Sequence, residues 1–179
     1  MKKLYSFASG KKGRATLIIS AVITAVICLV MNLVLIPGIE ASTNGIRCFD
    51  MNFGYSVETA RQFLSLLSAD GKSTYLNMQL PLDFVYPAAY CLFFSLMIIR
   101  LCKKVSVLCI VPLLLTVFDY LENISVLIIL KSAEPSQTLI QCASIFTCVK
   151  TVLMYLAFLI IIVLLIRYIS AKRKNSVNG

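Results

Sequence analysis

The chain has 179 residues, of which 59% are hydrophobic and only 14% are charged. A soluble domain is about 45–50% apolar and about 25% charged, so this composition excludes an ordinary water-soluble core and indicates a membrane protein. The net charge is +9, but the basic residues lie at the ends of apolar segments, which argues against nucleic-acid binding. Histidine is absent, which excludes a Ser-His-Asp or Cys-His nucleophile and an HExxH zinc site.

Four apolar segments are long enough to cross a bilayer as α-helices. The first, 15–36, spans roughly 33 Å at about 1.5 Å per residue, which exceeds the apolar core of a signal peptide. Pro37-Gly38 is expected to end this helix. The other three predicted helices cover 82–101, 105–130 and 138–169. The last is longer than a membrane is thick, so it must tilt or protrude.

The connection 37–81 is mixed in polarity and is predicted to lie outside the membrane. Apolar residues recur at helical spacing from Val57 to Leu67, with Ser56 as a candidate N-cap and Gly71 as a candidate C-terminal stop. This pattern predicts an amphipathic helix that lies on the bilayer or packs against the bundle. The predicted fold is therefore an all-α integral membrane protein, a four-transmembrane-helix bundle with one extra amphipathic helix in its first extracytoplasmic loop.

Lysine and arginine are distributed unequally between the two sides of this bundle. Twelve lie in the terminal segments and the second connection, and four lie in the other two connections. The positive-inside rule therefore places both termini in the cytoplasm, and we expect the cell (plasma) membrane as the location. The predicted organisation is a basic cytoplasmic N-terminus at 1–14, a single membrane domain at 15–174 and a disordered tail at 175–179.

Polar side chains from all four predicted helices lie at similar depths in the outer half of the membrane. Counted at about 1.5 Å per residue, this group comprises Asn32, Asp83, Asp119, Glu122 and Lys150. Asp119, Glu122 and Asn123 are spaced by three and four residues and so share a helix face. Because charged groups in a membrane are costly and normally face the bundle interior, we expect the four charged residues to meet.

Three carboxylates then meet one ammonium, which leaves an excess of two negative charges if all ionise. Either carboxyl groups are protonated, or a cation binds, or water and the outer medium solvate the site. The alternative is structural. Asp119 and Lys150 would form an ion pair, Asp83 would lie in the first turn of its helix, and Asn32 and Asn123 would join helices by hydrogen bonds.

Two further features flank Asp83. Pro87 has no N–H to donate to the Asp83 carbonyl four residues earlier, so that carbonyl needs another donor. Tyr86 and Tyr90 lie about one and two turns along from Asp83, and they either line a pocket or belong to an aromatic belt. The candidate ligand- or ion-binding residues are therefore Asp83, Asp119, Glu122, Asn123, Lys150, Tyr86 and Asn32.

The seven cysteines contain no CxxC pair, so the thiol–disulfide redox motif is missing. Cys48 and Cys142 both fall on the outer side, which leaves a disulfide between them as one alternative. The sequence indicates no cofactor, and it assigns neither a catalytic residue nor a metal ligand.

Three functional hypotheses follow. The favoured one is a multi-pass membrane protein that binds a cation, an amine or a lipid-like ligand at the acidic cluster. The second is an intramembrane enzyme that acts on a lipid or isoprenoid with carboxylate acid/base groups. The third is a structural or accessory subunit of a membrane complex, with Ala21 and Ala25 as a small-xxx-small contact for a membrane-protein partner. The expected partners are thus the lipid bilayer, a ligand or another membrane protein, and not nucleic acid.

Four helices in 179 residues with membrane-embedded acids resemble, in architecture, the emopamil-binding and sigma-2-type sterol-handling family. The resemblance includes no aligned motif, so it implies no residue role. The vitamin K epoxide reductase family is also four-helical, but the missing CxxC argues against it.

Overall fold

The computed structural model describes residues 2–177. Of the predicted disordered tail 175–179, residues 178–179 lie outside the described residues, and residues 175–177 belong to the last helix. Residues 2–177 are 86% helical and contain no β-strand. The prediction of an all-α fold is therefore confirmed.

The structure has six helices within residues 2–177, of which four are long and apolar enough to span a membrane. The two short helices are α1, Lys2–Ser9, and α3, Val57–Leu66. The four long helices are α2, Lys11–Ala41; α4, Ala69–Cys102; α5, Val107–Lys131; and α6, Gln137–Val177.

The first long helix passes through the proline that the sequence predicts will end it. Helix α2 continues beyond Pro37 to Ala41. Just before the proline the helix widens into a π turn, Met31–Leu35, and the Ile36 N–H donates to the carbonyl five residues back. A wider turn relieves the clash that a proline ring makes with the preceding turn of an α-helix.

The second long helix begins at Ala69, 13 residues before its predicted start at 82. The Ser68 hydroxyl caps α4 by accepting the Gly71 N–H at 3.0 Å, so Gly71 lies inside a helix rather than after one. A second π turn, Tyr75–Gln79, precedes Pro81 and allows α4 to continue through that proline as α2 does through Pro37. Asp83 is consequently several turns inside α4, which removes the first-turn, helix-dipole explanation of its charge.

Helix α3 lies in the connection between α2 and α4. Ser56 caps it as predicted, accepting the Thr59 N–H at 3.1 Å, but the helix ends at Leu66. Its Ala60 and Phe63 are buried, and the Phe63 ring lies 4.9 Å from that of Phe49. One face of α3 therefore packs against the protein, and its position relative to a membrane stays a prediction.

Helices α4 and α5 form the centre of the bundle. In their most apolar stretches 44% of the residues are buried, against 17% in α2 and 11% in α6. The outer helices expose large apolar side chains, for example Leu33 on α2 and Ile162 on α6. Soluble monomers rarely expose contiguous apolar patches of more than a few hundred Å², so this exterior suggests a membrane location.

The two ends of the bundle differ in chemistry. We call the end that carries α1, the α4–α5 connection and the last turns of α6 the basic end, and the opposite end the loop end.

All seven cysteines are free thiols, so the disulfide that the sequence allowed between Cys48 and Cys142 is not formed. Cys48 is fully buried at the loop end, and burial raises the pKa of its thiol well above the usual range, with Asp50 and Glu40 adding to the effect.

Candidate ligand site in the bundle core

Helices α5 and α6 bring together an ion-pair network that the sequence predicts. The Lys150 ammonium lies 3.6 Å from Asp119 Oδ1 and also contacts Glu122 Oε2. The Tyr90 hydroxyl donates to Asp119 Oδ2 at 2.7 Å, and the Thr147 hydroxyl donates to Glu122 Oε1 at 2.6 Å. Each carboxylate therefore accepts one hydroxyl hydrogen bond, and its other oxygen, Asp119 Oδ1 or Glu122 Oε2, has among the described residues only the ion pair with Lys150. We call these five residues the paired half of the cluster.

The local geometry of the paired half follows from helical spacing. Asp119 and Glu122 are three residues apart on α5, and Thr147 and Lys150 are three residues apart on α6, so each pair shares one face. The two faces meet in the interior, where the exposed fractions of Asp119 and Glu122 are 2% and 0%. Each acid is thus matched by a donor at the same level of the facing helix.

The backbone carbonyl that Pro87 leaves without its helical donor is also satisfied. The Asn123 side-chain amide donates to the Asp83 carbonyl oxygen at 2.8 Å. Asn123 is fully buried, so this hydrogen bond joins α4 and α5 inside the bundle. The sequence predicts that the carbonyl needs a donor, and the structure shows which residue supplies it.

A second group of buried polar atoms has no hydrogen-bond partner within the protein. Asp83 Oδ2, Asn123 Oδ1 and both polar atoms of the Gln79 side chain belong to it. Gln79 and Asn123 are 0% exposed and Asp83 is 3% exposed. More than about nine in ten buried polar groups in proteins are hydrogen-bonded, so several exceptions in one place mark a site that can accept a polar ligand.

Asp50 extends this second group towards the loop end. It lies in a short 3₁₀ turn, Phe49–Met51, of the α2–α3 connection. The Tyr75 hydroxyl donates to Asp50 Oδ2 at 3.2 Å, and Asp50 Oδ1 is buried without a partner. We call Gln79, Asp83, Asn123 and Asp50 the open half of the cluster.

Asp50 also lines a cleft of about 520 Å³ at the loop end, together with Arg47, Asn52, Thr151 and Tyr155. The cleft is bordered by the connection that crosses α6, where the Tyr55 N–H donates to Ser144 Oγ at 2.8 Å. Asp50 therefore faces both the cleft and the buried cluster. Asp50 thus connects the cleft at the loop end with the buried cluster.

The charge balance of the whole cluster is more negative than the sequence predicts. The structure adds Asp50 to Asp83, Asp119 and Glu122, so the cluster contains four carboxylates and one ammonium, that of Lys150, which contacts Asp119 and Glu122. The excess is three negative charges if all five groups ionise. An interior with this excess favours a cation or protonation, because isolated buried charge is costly.

The structure places the remaining candidates outside the cluster. Asn32 is exposed and its side-chain amide donates to the Cys28 carbonyl of its own helix at 2.9 Å. Tyr86 is half-buried, and its ring packs edge-on against Tyr90 at 5.1 Å. Asn32 therefore does not contact the acids. Tyr86 contacts Tyr90, and Tyr90 in turn binds Asp119.

Tyr86 and Tyr90 instead line an apolar crevice of about 280 Å³ between α2, α4 and α6. Its other walls include Ala21, Ala25 and Phe158. The two alanines, which the sequence assigns to a partner contact, thus widen a crevice on the bundle surface. Tyr90 is shared between the two sites, since its ring faces the crevice and its hydroxyl binds Asp119.

Within residues 2–177, no three His, Cys, Asp or Glu side chains converge as metal ligands. Asp119 and Glu122 are each paired with Lys150 and one hydroxyl group, whereas Asp83 Oδ2 and Asp50 Oδ1 have no hydrogen-bond partner among the described residues. The unpartnered carboxylate and amide oxygens of the open half can accept hydrogen bonds from N–H or O–H donors.

A comparison with known proteins finds no family model, no curated protein and no solved structure that matches the chain. The resemblance to sterol-handling proteins therefore stays one of architecture. Function has to be argued from the site itself.

Proposed function

We propose that the chain is a multi-pass protein of the cell membrane that binds a small cationic ligand at the open half of its acidic cluster. The apolar exteriors of α2 and α6 support the membrane location. The basic end collects both terminal segments and the α4–α5 connection, which supports four crossings with both termini in the cytoplasm.

The unpartnered atoms of Gln79 and Asp83 are the observation that carries the proposal. A protonated amine would bring N–H donors to the Asp83 carboxylate and to the amide oxygens of Gln79 and Asn123. Its positive charge would offset part of the negative excess, which compensates for its loss of hydration. Asp50 would meet it first, at the inner wall of the loop-end cleft.

The paired half is assigned a different role in this proposal. Asp119 and Glu122 already bind Lys150, Tyr90 and Thr147, so these groups would hold α5 and α6 in register rather than contact the ligand. In this proposal the alternative of a purely structural ion pair applies to the paired half only. A lipid-like amine is supported by the apolar crevice, which adjoins the cluster at Tyr90.

The experiment is a thermal-unfolding screen of the purified protein in detergent against simple alkylamines, polyamines and alkali cations. We expect a primary amine to raise the unfolding temperature of the wild type and to have no such effect on Asp83→Asn. Asp70→Asn is the matched control, since Asp70 is an exposed acid in the first turn of α4. Equal stabilisation of Asp83→Asn, or no response of the wild type to any compound, would contradict the proposal.

A further inference from the structure

The N-terminal helix is folded back against the bundle at the basic end. Ala8 of α1 is fully buried against Leu96 and Ile99 of α4. The Arg100 guanidinium donates to the Ala8 carbonyl oxygen at 2.6 Å and so satisfies an acceptor near the C-terminal end of α1. This helix therefore has a fixed position on the bundle and is not a free basic tail.

Gly13 allows the close turn between α1 and α2. A Cβ at this position would overlap with the backbone carbonyl of Phe7 and the backbone of Ala8. A larger residue would push α1 away from α4 and break the contact between Arg100 and Ala8. The glycine at position 13 and the contacts of Ala8 therefore support the same position of α1 against α4.

This placement creates a cleft of about 370 Å³ whose walls carry three lysines. It is lined by Lys2 and Tyr5 of α1 and by Lys103, Lys104 and Val105 of the α4–α5 connection. Lys103 ends α4 in a left-handed conformation, with φ of 56°, which turns the chain so that both connection lysines border the cleft. Neither α1 nor the connection contains an acidic residue, so the positive charge is not compensated locally.

The other side of α1 is apolar. Leu4 and Phe7 are 48% and 43% exposed, although they belong to a short helix with lysines at its start. Exposed apolar side chains on one side and lysines on another are typical of helices that lie in the interface of a bilayer. The lysine cleft would then be at the level of the phospholipid headgroups.

We infer that this cleft binds the phosphate headgroup of an anionic phospholipid. The lysine ammonium groups attract the headgroup charge, and the Tyr5 hydroxyl can donate to a phosphate oxygen. The positive-inside rule accounts for basic residues on this side, but it requires neither a cleft nor the Arg100 contact that fixes α1 beside it. The inference depends on the proposed membrane location and is independent of the cationic ligand in the core.

The test titrates the purified full-length protein in neutral detergent with dioctanoyl phosphatidylglycerol and follows thermal unfolding. Parallel titrations use dioctanoyl phosphatidylcholine and inorganic phosphate. The test variant is Lys103→Asn/Lys104→Gln, with asparagine at 103 because it tolerates a positive φ. Lys11→Gln/Lys12→Gln is the matched control, which removes the same charge from the basic end without altering the described walls of the cleft.

We expect phosphatidylglycerol to stabilise the wild type and the control, and to bind the test variant about 30-fold more weakly. That factor corresponds to about 1 kcal/mol for each lysine near an anionic surface. Should the double variant not fold, Lys2→Gln takes its place, since Lys2 is exposed at the start of α1 and lines the same cleft.

Three results would overturn the inference. Equal weakening by the test and control variants would show that only net charge matters. Equal binding of phosphatidylcholine would remove the requirement for an anionic headgroup. Stabilisation by inorganic phosphate at the same concentrations as phosphatidylglycerol would indicate a site for free phosphate rather than for lipid. Asp83 is far along the chain from these lysines and at the other end of the bundle core. The Asp83→Asn variant should therefore respond to phosphatidylglycerol as the wild type does.

Discussion

The side-chain amide of Asn123 donates to the Asp83 carbonyl at 2.8 Å, and so replaces the backbone donor that Pro87 lacks. This relationship joins the two central helices at the acidic cluster. It also connects three residues that a sequence pattern treats separately: a proline, the carbonyl one turn earlier, and an asparagine on the next helix.

We expect Asn123→Ala to lower the free energy of unfolding by about 1–2 kcal/mol, because it leaves a buried carbonyl without a donor. In a Pro87→Ala background the new backbone N–H can bind the Asp83 carbonyl within α4, so the same substitution should cost much less. The measurement is a double-mutant cycle from unfolding titrations in mixed micelles. An equal cost in both backgrounds would show that the Asn123 bond does not compensate for Pro87.

Lys150→Met removes the ammonium shared by Asp119 and Glu122. We expect a loss of about 3–5 kcal/mol in the free energy of unfolding, the usual cost of leaving buried charge without its partner. Adding Asp119→Asn and Glu122→Gln should recover more than half of that loss, because no uncompensated charge then remains. The same unfolding titrations check this prediction. A triple variant as unstable as Lys150→Met would mean that volume or packing, rather than charge, explains the effect.

Gly71 lies where the start of α4 meets Ser42 at the end of α2. A Cβ there would overlap with the Ser42 side chain, so Gly71→Ala should cost about 1–3 kcal/mol through overpacking. Gly38 is the matched control in the other long helix, since a Cβ at that position has no neighbour within 4 Å. We expect Gly38→Ala to be neutral or to stabilise by up to about 1 kcal/mol. Similar effects of the two substitutions on the unfolding temperature would contradict this packing.

Cys48 should resist thiol reagents while the protein is folded. Burial raises its pKa, so the reactive thiolate is suppressed and the side chain is out of reach. A maleimide followed by peptide mass spectrometry should label Cys48 only after denaturation. Since folding raises this pKa, the contribution to stability is complete below about pH 8.5 and declines at higher pH. Rapid native-state labelling would show that the loop end is open.

The three charged residues of the paired half could be predicted from the sequence because a regular α-helix has a fixed rise and a fixed number of residues per turn, whereas Tyr90 and Thr147 are not among the predicted site residues. Depth at about 1.5 Å per residue and spacing by three and four residues brought Asp119 and Glu122 to the level of Lys150, as the structure confirms. The same reasoning failed for Asn32, because depth alone does not decide which face of α2 points inward. Asn32 instead binds the Cys28 carbonyl in its own helix.

Most of the open half could not be predicted, for two physical reasons. Asp50 reaches the cluster from an irregular connection, and irregular backbone has no periodicity from which to place a side chain. Gln79 falls in the predicted connection 37–81, because the apolar run that predicts the second helix begins only at residue 82. The Ser68 cap and the acid at Asp70 were the signals of an earlier start, and extending the helix to them places Tyr75, Gln79 and Asp83 on one face at intervals of four.

The central claim is that one half of the cluster holds the helices together and the other half is kept open for a ligand. The measurement that tests it most directly compares the unfolding free energies of Asp83→Asn and Glu122→Gln with that of the wild type, without any added ligand. An unpartnered buried carboxylate is costly, so Asp83→Asn should be at least as stable as the wild type, whereas Glu122→Gln should lose about 1–3 kcal/mol with its ion pair. If Asp83→Asn loses as much stability as Glu122→Gln, Asp83 is part of the structural network and the division into two halves is wrong.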